Sequence, residues 1–371
     1  MADQEGRGGL CTPTRWRLIA SGVLLAACPL LVLLFERFGE ALSGGYRPFS
    51  KGLLSLQATV ASVAPFALWD FLVVGFALAA LFTLVRRVVR RRPLLPWLSV
   101  VLLVSSATLF LFVSGWALNH YAPSLANEIG LEVGAYTDDE LAATTRHYLE
   151  RAAALAPSVP RGEDGELLRQ DFYELARIAG GSYRELSESY GIFEGSQAPV
   201  KALLLLGEPL LLSGHVGIFF SPTGESSVPV NCAVADLPFT MCHEAAHRLA
   251  IAREQEANFA AFLACTTSDD VRFSYSGYYS AFSFCYSALR RSDPDRAARL
   301  LDEVRTSGLD AGVGLVLADL VATGRHYDAY EGWFGRVGSA VNDGYLRSFG
   351  EREGVKSYGL VVDYLIAWDR R

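Results

Sequence analysis

The chain lacks several features that would fix its class at once. It has no basic excess. Its net charge is −7 at pH 7, and no stripe of Lys and Arg with interleaved aromatics runs through the C-terminal two-thirds. Nucleic acid is therefore not an expected partner. Six cysteines occur among 371 residues, none in a CxxC pair, which argues against a cysteine zinc ribbon. No internal repeat and no low-complexity linker interrupts the chain. Ser221, Ser226 and Ser227 do not sit in a nucleophile elbow, so a serine hydrolase fits poorly.

Apolar residues are abundant: they make up 51% of the chain. Three long apolar runs dominate the first third. They cover Leu18 to Phe35, Val63 to Val85, and Leu94 to Leu118. Each approaches or exceeds the roughly 20 residues that span a bilayer. The expectation is three transmembrane helices at about 18–35, 63–85 and 95–118, with a loop over 36–62. The first run is long for a cleaved signal peptide, so it is read as a retained helix. Asp70 beside Trp69 suits an interfacial helix end.

Arginines set the expected orientation. Arg7, Arg15 and Arg17 precede the first run, and Arg86, Arg87, Arg90, Arg91 and Arg92 lie between the second and third. The positive-inside rule places both in the cytoplasm. Three spans then leave the rest outside. The expected organisation is a membrane domain at 1–120 and an extracytoplasmic domain at 121–371, with the lipid bilayer as one partner. Cys232, Cys242, Cys265 and Cys285 lie in the second domain. Export would permit disulfides there, and buried thiols are the alternative.

After Ala122 charges return and the apolar residues become periodic. The pattern is α+β but mostly helical. Helices are expected over Asp138 to Ala156, over Glu166 to Gly191 with a break at Gly180–Gly181, and over several stretches from Ser276 to Trp368. Gly214 to Val234 is rich in β-branched and aromatic residues and turns at Pro222–Gly224. It reads as a small hairpin or sheet. The strand at Ser226 to Asn231 is a candidate edge strand for pairing with an extended substrate.

The chemistry concentrates in "TMCHEAAHRLAIAREQEANFAAF", Thr240 to Phe262. His243 and His247 are four apart, so on a helix they share a face and can chelate one cation. Neutral imidazoles at that spacing suit Zn2+. Glu244 is one step round the helix, in reach of a zinc-bound water without being a ligand. That is the place of a general base. A turn near Ala250 to Ala252 would return a second helix past the metal. Glu254 and Asn258 share one face of it. Glu256 points about 160° away from Glu254. Glu254 is the expected third ligand, with Asn258 orienting a neighbouring group, and Glu256 is the alternative ligand. A structural zinc would want a fourth protein ligand, and Cys242 is off the histidine face. Tyr279 and Tyr358 are candidate oxyanion stabilisers. His215, just before the hairpin, is read as a loop histidine that could approach the site.

These residues resemble zinc metallopeptidases of the gluzincin type, in which a His-Glu-x-x-His helix is followed by Glu-x-x-Ala-Asp or Glu-x-x-Ala-Asn. Glu254 takes the ligand position of that motif and Asn258 the supporting one. The stretches Gly217 to Asn231, Leu237 to His247, Ala252 to Cys265, Phe273 to Phe282 and Gly354 to Trp368 further resemble the Domain of Unknown Function 3810 family of bacterial membrane proteins. Ala250 stands where a glycine would be expected. The resemblance implies a zincin-like fold and supplies no substrate. The expected function is hydrolysis of a peptide or protein substrate by a zinc-activated water with Glu244 as base. The alternatives are an inactive zincin-like sensor or binding protein, and a helical membrane-anchored domain with no metal.

Overall fold

The computed structural model describes residues 12–349 and 360–371. Among them the chain is mostly helical, with one three-stranded sheet. Four helical stretches are long and apolar enough to cross a membrane: Thr12–Ala61, Leu68–Val89, Leu95–Tyr121 and Pro294–Asp328. The fourth is additional to the three expected. It is broken at Gly308, where φ is 96°. Its Leu300, Val304, Val313 and Val316 belong to the core of the C-terminal domain, and its Asp319 is ion-paired with Arg161 at 2.7 Å.

The first helix departs most from expectation. Thr12–Ala61 is one run of 50 residues, and no loop follows Phe35. Phe38 has non-helical dihedrals (φ −130°, ψ 15°), which divide the run at a kink. Phe35 and Tyr46 flank the kink with ring centroids 4.9 Å apart. A straight helix would separate those two positions by about 16 Å. Gly44, Gly45 and Pro48 read as loop-formers in sequence. Yet the buried Gly39, Ser43, Ser50, Leu54, Ala58 and Ala61 recur at helical spacing. Gly39 and Ser50 line a close seam with the third helical stretch, where Ser50 Oγ donates to the Gly115 carbonyl at 2.6 Å, while Ala58 and Ala61 face Gly224 and Lys201 of the sheet. Gly39 is needed there, since a Cβ would lie 2.7 Å from the Tyr121 carbonyl oxygen.

The sheet is built from β1 (Lys201–Leu203), β2 (Ile218–Phe220) and β3 (Glu225–Pro229), in the order β1-β3-β2. β2 and β3 form the expected hairpin, antiparallel across residues 221–224. β1, which the sequence did not announce, pairs parallel to β3. This corrects the edge-strand expectation. β3 is central and both its edges are paired, so it has no free ladder for a substrate. Of the two outer strands, β1 is bridged by Phe66 at Ala202, and β2 keeps an unpaired edge among the described residues.

Three buried charges dock the membrane helices onto this sheet. Lys201 Nζ donates to the carbonyls of Ala61 and Ala64 at the end of the first helix. Glu225 accepts from the backbone N–H groups of Leu68 and Trp69 at 2.8 and 3.1 Å. Those are orphan donors of the second helix, at its positive end. Asp70 accepts from the N–H groups of Leu204, Leu205 and Leu206 at 2.9, 2.8 and 3.0 Å. Asp70 is thus fully buried, beyond its expected place at an interfacial helix end. It satisfies three donors of a turn that no strand covers.

The remaining helices wrap one continuous core. Asp138–Leu155 starts with a capping box between Thr137 and Glu140. Cys28, Cys232, Cys242, Cys265 and Cys285 are buried free thiols. Of the two readings left open for the last four, the thiol holds.

Candidate metal centre

The histidine helix, Leu237–Arg248, carries Pro238 in its first turn, where the missing N–H leaves no hydrogen bond unmade. Met241, Cys242, Ala245 and Ala246 are buried behind it. Its end is a Schellman turn. The Ala250 N–H donates to the His247 carbonyl at 3.0 Å and the Ile251 N–H to the Ala246 carbonyl at 3.3 Å. Ala250 takes φ 64° to make it. An L-residue in that region costs about 1–2 kcal/mol. The turn is formed all the same with alanine in the glycine position.

That turn serves the site twice. It aims the Ile251 carbonyl at His247, whose Nδ1–H donates to it at 2.8 Å. It also returns the chain into the glutamate helix, Glu254–Thr266. There Asn258 Oδ1 accepts from His243 Nδ1–H at 2.8 Å. Both imidazoles are thereby fixed with Nδ1 protonated and Nε2 pointing inward, the tautomer a metal ligand needs.

The two Nε2 atoms are 3.1 Å apart. A Glu254 carboxylate oxygen lies 3.2 Å from His243 Nε2, and the other 3.9 Å from His247 Nε2. One ligand atom from each of the three residues falls within 4.8 Å of the others. A tetrahedral ion with bonds of about 2.0–2.1 Å holds its ligand atoms about 3.3 Å apart. The donor set therefore fits zinc in type and spacing.

Glu244 lies beside this triangle and is 4% exposed. Its Oε2 has no hydrogen-bond partner among the described residues. Gly217, at the start of β2, packs directly on it: a Cβ there would come within 2.4 Å of Glu244 Oε1. Ser226 Oγ of β3 donates to the Glu244 backbone carbonyl at 2.6 Å. Sheet and helix together fix the carboxylate.

Electrostatics separate the two carboxylates. Burial pushes Glu244 up to about 8, against the pull of His243. Burial also acts on Glu254, but the facing His243 and His247 outweigh it and hold it down at about 2. Burial lowers His247 to about 4. Two carboxylates in one cavity are thus driven apart.

The other predicted residues go elsewhere. Glu256 turns away from the histidines. It pairs with Arg253 at 2.8 Å and accepts from Tyr364 at 3.3 Å. Tyr279 is buried in the core, where its hydroxyl donates to Thr323 at 3.0 Å. Tyr358 lies outside the described residues. His215 was underrated: it lines the same cavity. Its Nδ1 is 2.9 Å from Ser213 Oγ, and Glu254 is the charge that acts on it most. Its signal was position, just ahead of the hairpin.

The cluster opens into a cavity of about 890 Å³. One wall is the histidine helix. Opposite lie Gly217, Ile218 and Phe219 of the β2 edge. The helix Trp333–Ser348 adds Gly335, Gly338, Ser339 and Asn342. A further wall comes from the end of the third membrane helix, through Phe112 and Trp116. Trp116 Nε1–H donates to the His247 carbonyl at 2.8 Å.

No curated protein and no solved structure matches the chain. Residues 46–366, most of the chain, match the family described as Protein of unknown function (DUF3810). The hairpin, the histidine helix and the glutamate helix all fall within that match, and the chain belongs to this family.

Proposed function

We propose that the chain is a membrane-anchored, zinc-dependent peptidase with a zincin-like centre. The carrying observation is the pairing of a three-residue ligand triangle with the buried, unpartnered carboxylate of Glu244 beside it. A zinc that merely braces a fold has four protein ligands and no use for a base.

His243, His247 and Glu254 would hold the metal. Bound there, zinc would polarise a carbonyl and make a water acidic near neutral pH. The rest of the chemistry belongs to the chain. Glu244 takes one proton from the attacking water. The water oxygen bonds to the acyl carbon, the C–N bond breaks, and Glu244 delivers that proton to the departing amine. Asn258 and the Ile251 carbonyl keep the imidazoles aimed. The free edge of β2 offers backbone groups to an extended substrate. The arginine distribution supports a cytoplasmic N-terminus and an extracytoplasmic centre.

The test uses the purified full chain and a mixed peptide library read by mass spectrometry. One zinc per chain and cleavage are expected in the wild type. Glu244→Gln should keep the zinc and lose the cleavage. Undiminished turnover in that variant, or a wild type without zinc under chelator-free conditions, ends the proposal.

A further inference from the structure

The substrate class follows from where the centre sits. The third membrane helix, Leu95–Gly115, has 21 residues. That is about 31 Å of helix, one hydrocarbon thickness. Trp116 is the next residue, and its indole ring lies 5.7 Å from the His247 ring, centroid to centroid. Phe112, which also lines the cavity, is three residues inside the helix end, about 4–5 Å below it. The His247 ring therefore stands one side chain away from the end of a membrane span, and part of the cavity wall is the span itself.

The surroundings point the same way. Leu212 adjoins the lining residues Ser213 to Val216, and Trp333 and Val337 lie on the outer face of the helix whose other face supplies Gly335 and Gly338. The side chains of Leu212, Val216, Trp333 and Val337 are 42%, 36%, 60% and 50% exposed. Exposed apolar groups of this size, on the outside of the elements that build the cavity, suit a membrane interface, tryptophan above all. Leu204 and Leu205, 46% and 44% exposed, are tied by their N–H groups to Asp70 in the first turn of the second membrane helix. They extend the apolar surface to the level of that helix end.

We propose that the centre acts on polypeptides that are themselves anchored in the membrane, and cuts within the first few residues to leave the bilayer. This rests on the peptidase reading. An extended chain advances about 3.3 Å per residue. A bond lying over Glu244 is thus within a few residues of the span's end, and the β2 edge receives the strand on its way out.

The experiment places the zinc-loaded full chain in phosphatidylcholine vesicles. The substrates carry one randomised cassette behind a single transmembrane helix, with Gly-Ser spacers of about 10, 35 and 80 Å when extended. The same cassette is also supplied free in solution. Tethering alone raises the local concentration for every spacer, so the dependence on spacer length is the discriminating readout. Cleavage should fall about tenfold or more from the shortest spacer to the longest, and the free cassette should be cut slowest. Equal rates across spacers, or a free cassette cut as fast as the shortest tether, overturns the substrate assignment and leaves the peptidase standing. No cleavage in any format overturns the peptidase and the assignment together.

Discussion

Two regions of this molecule bury charge, and they treat it differently. Where the first two helices meet the sheet, every buried charge has its partners: Lys201 two carbonyls, Glu225 two N–H groups, Asp70 three. At the candidate metal centre, two imidazoles and two carboxylates crowd together. Glu244 Oε2 and Asn258 Nδ2 have no partner among the described residues. Satisfied buried charge is what a fold needs to hold two parts together. Buried charge left incomplete costs stability and persists where something else completes it. On the proposed function, the first region serves architecture and the second chemistry.

The largest effect should come from the residue that is most out of place structurally. Glu244→Gln keeps the shape and removes the base. Turnover should drop about 10²–10⁴-fold, with zinc content and melting temperature little changed. A variant that unfolds instead would put Glu244 among the architectural charges and dissolve the contrast.

Next come the two acids of the glutamate helix, two positions apart. Glu254→Ala should lose stoichiometric zinc while the apoprotein stays folded. Glu256→Ala should keep zinc and lose about 3 kcal/mol of stability, because Arg253 and Tyr364 are left facing an empty place. Metal analysis beside a thermal melt reads both. Zinc lost on changing Glu256 and kept on changing Glu254 would exchange their roles.

A smaller effect is expected one step out from the metal. Asn258→Ala removes the acceptor that sets the His243 tautomer. Zinc affinity should weaken about 10–100-fold, as read by competition with a chelator. Unchanged affinity would mean that helix packing alone aims His243.

How much of this is legible in the sequence depends on the range of the interaction. His243, His247 and Glu244 are fixed by helical period within five residues. The same period lets only one of Glu254 and Glu256 face the histidines, and Asn258, four residues on, favours Glu254. The three apolar runs and the β2–β3 hairpin are local patterns too. The unread features are long-range or disguised. The helix after Phe38 hid behind Gly44, Gly45 and Pro48, which read as loop-formers yet lie on its exposed side. β1 is three residues long and borrows its identity from β3. Lys201, Glu225 and Asp70 each pair with groups more than a hundred positions away. Nothing in the third apolar run says that Phe112 and Trp116 wall the cavity.

The mildest perturbation tests the architectural side. Glu225→Gln keeps the size of the side chain and one acceptor oxygen. It removes the charge facing the start of the second helix and one of the two bonds to Leu68 and Trp69. A charge at a helix N-terminus is worth about 0.3–1 kcal/mol, and a lost bond to a buried charged group about 1.5–3. Part of that loss returns, because the amide still accepts once. A net cost of about 1–2 kcal/mol is expected, read as a lower melting temperature in detergent, with zinc stoichiometry untouched. Loss of zinc in Glu225→Gln would break the comparison at its base. It would show that the charges docking the membrane helices also hold the centre, through the strand that carries Ser226 to the Glu244 carbonyl.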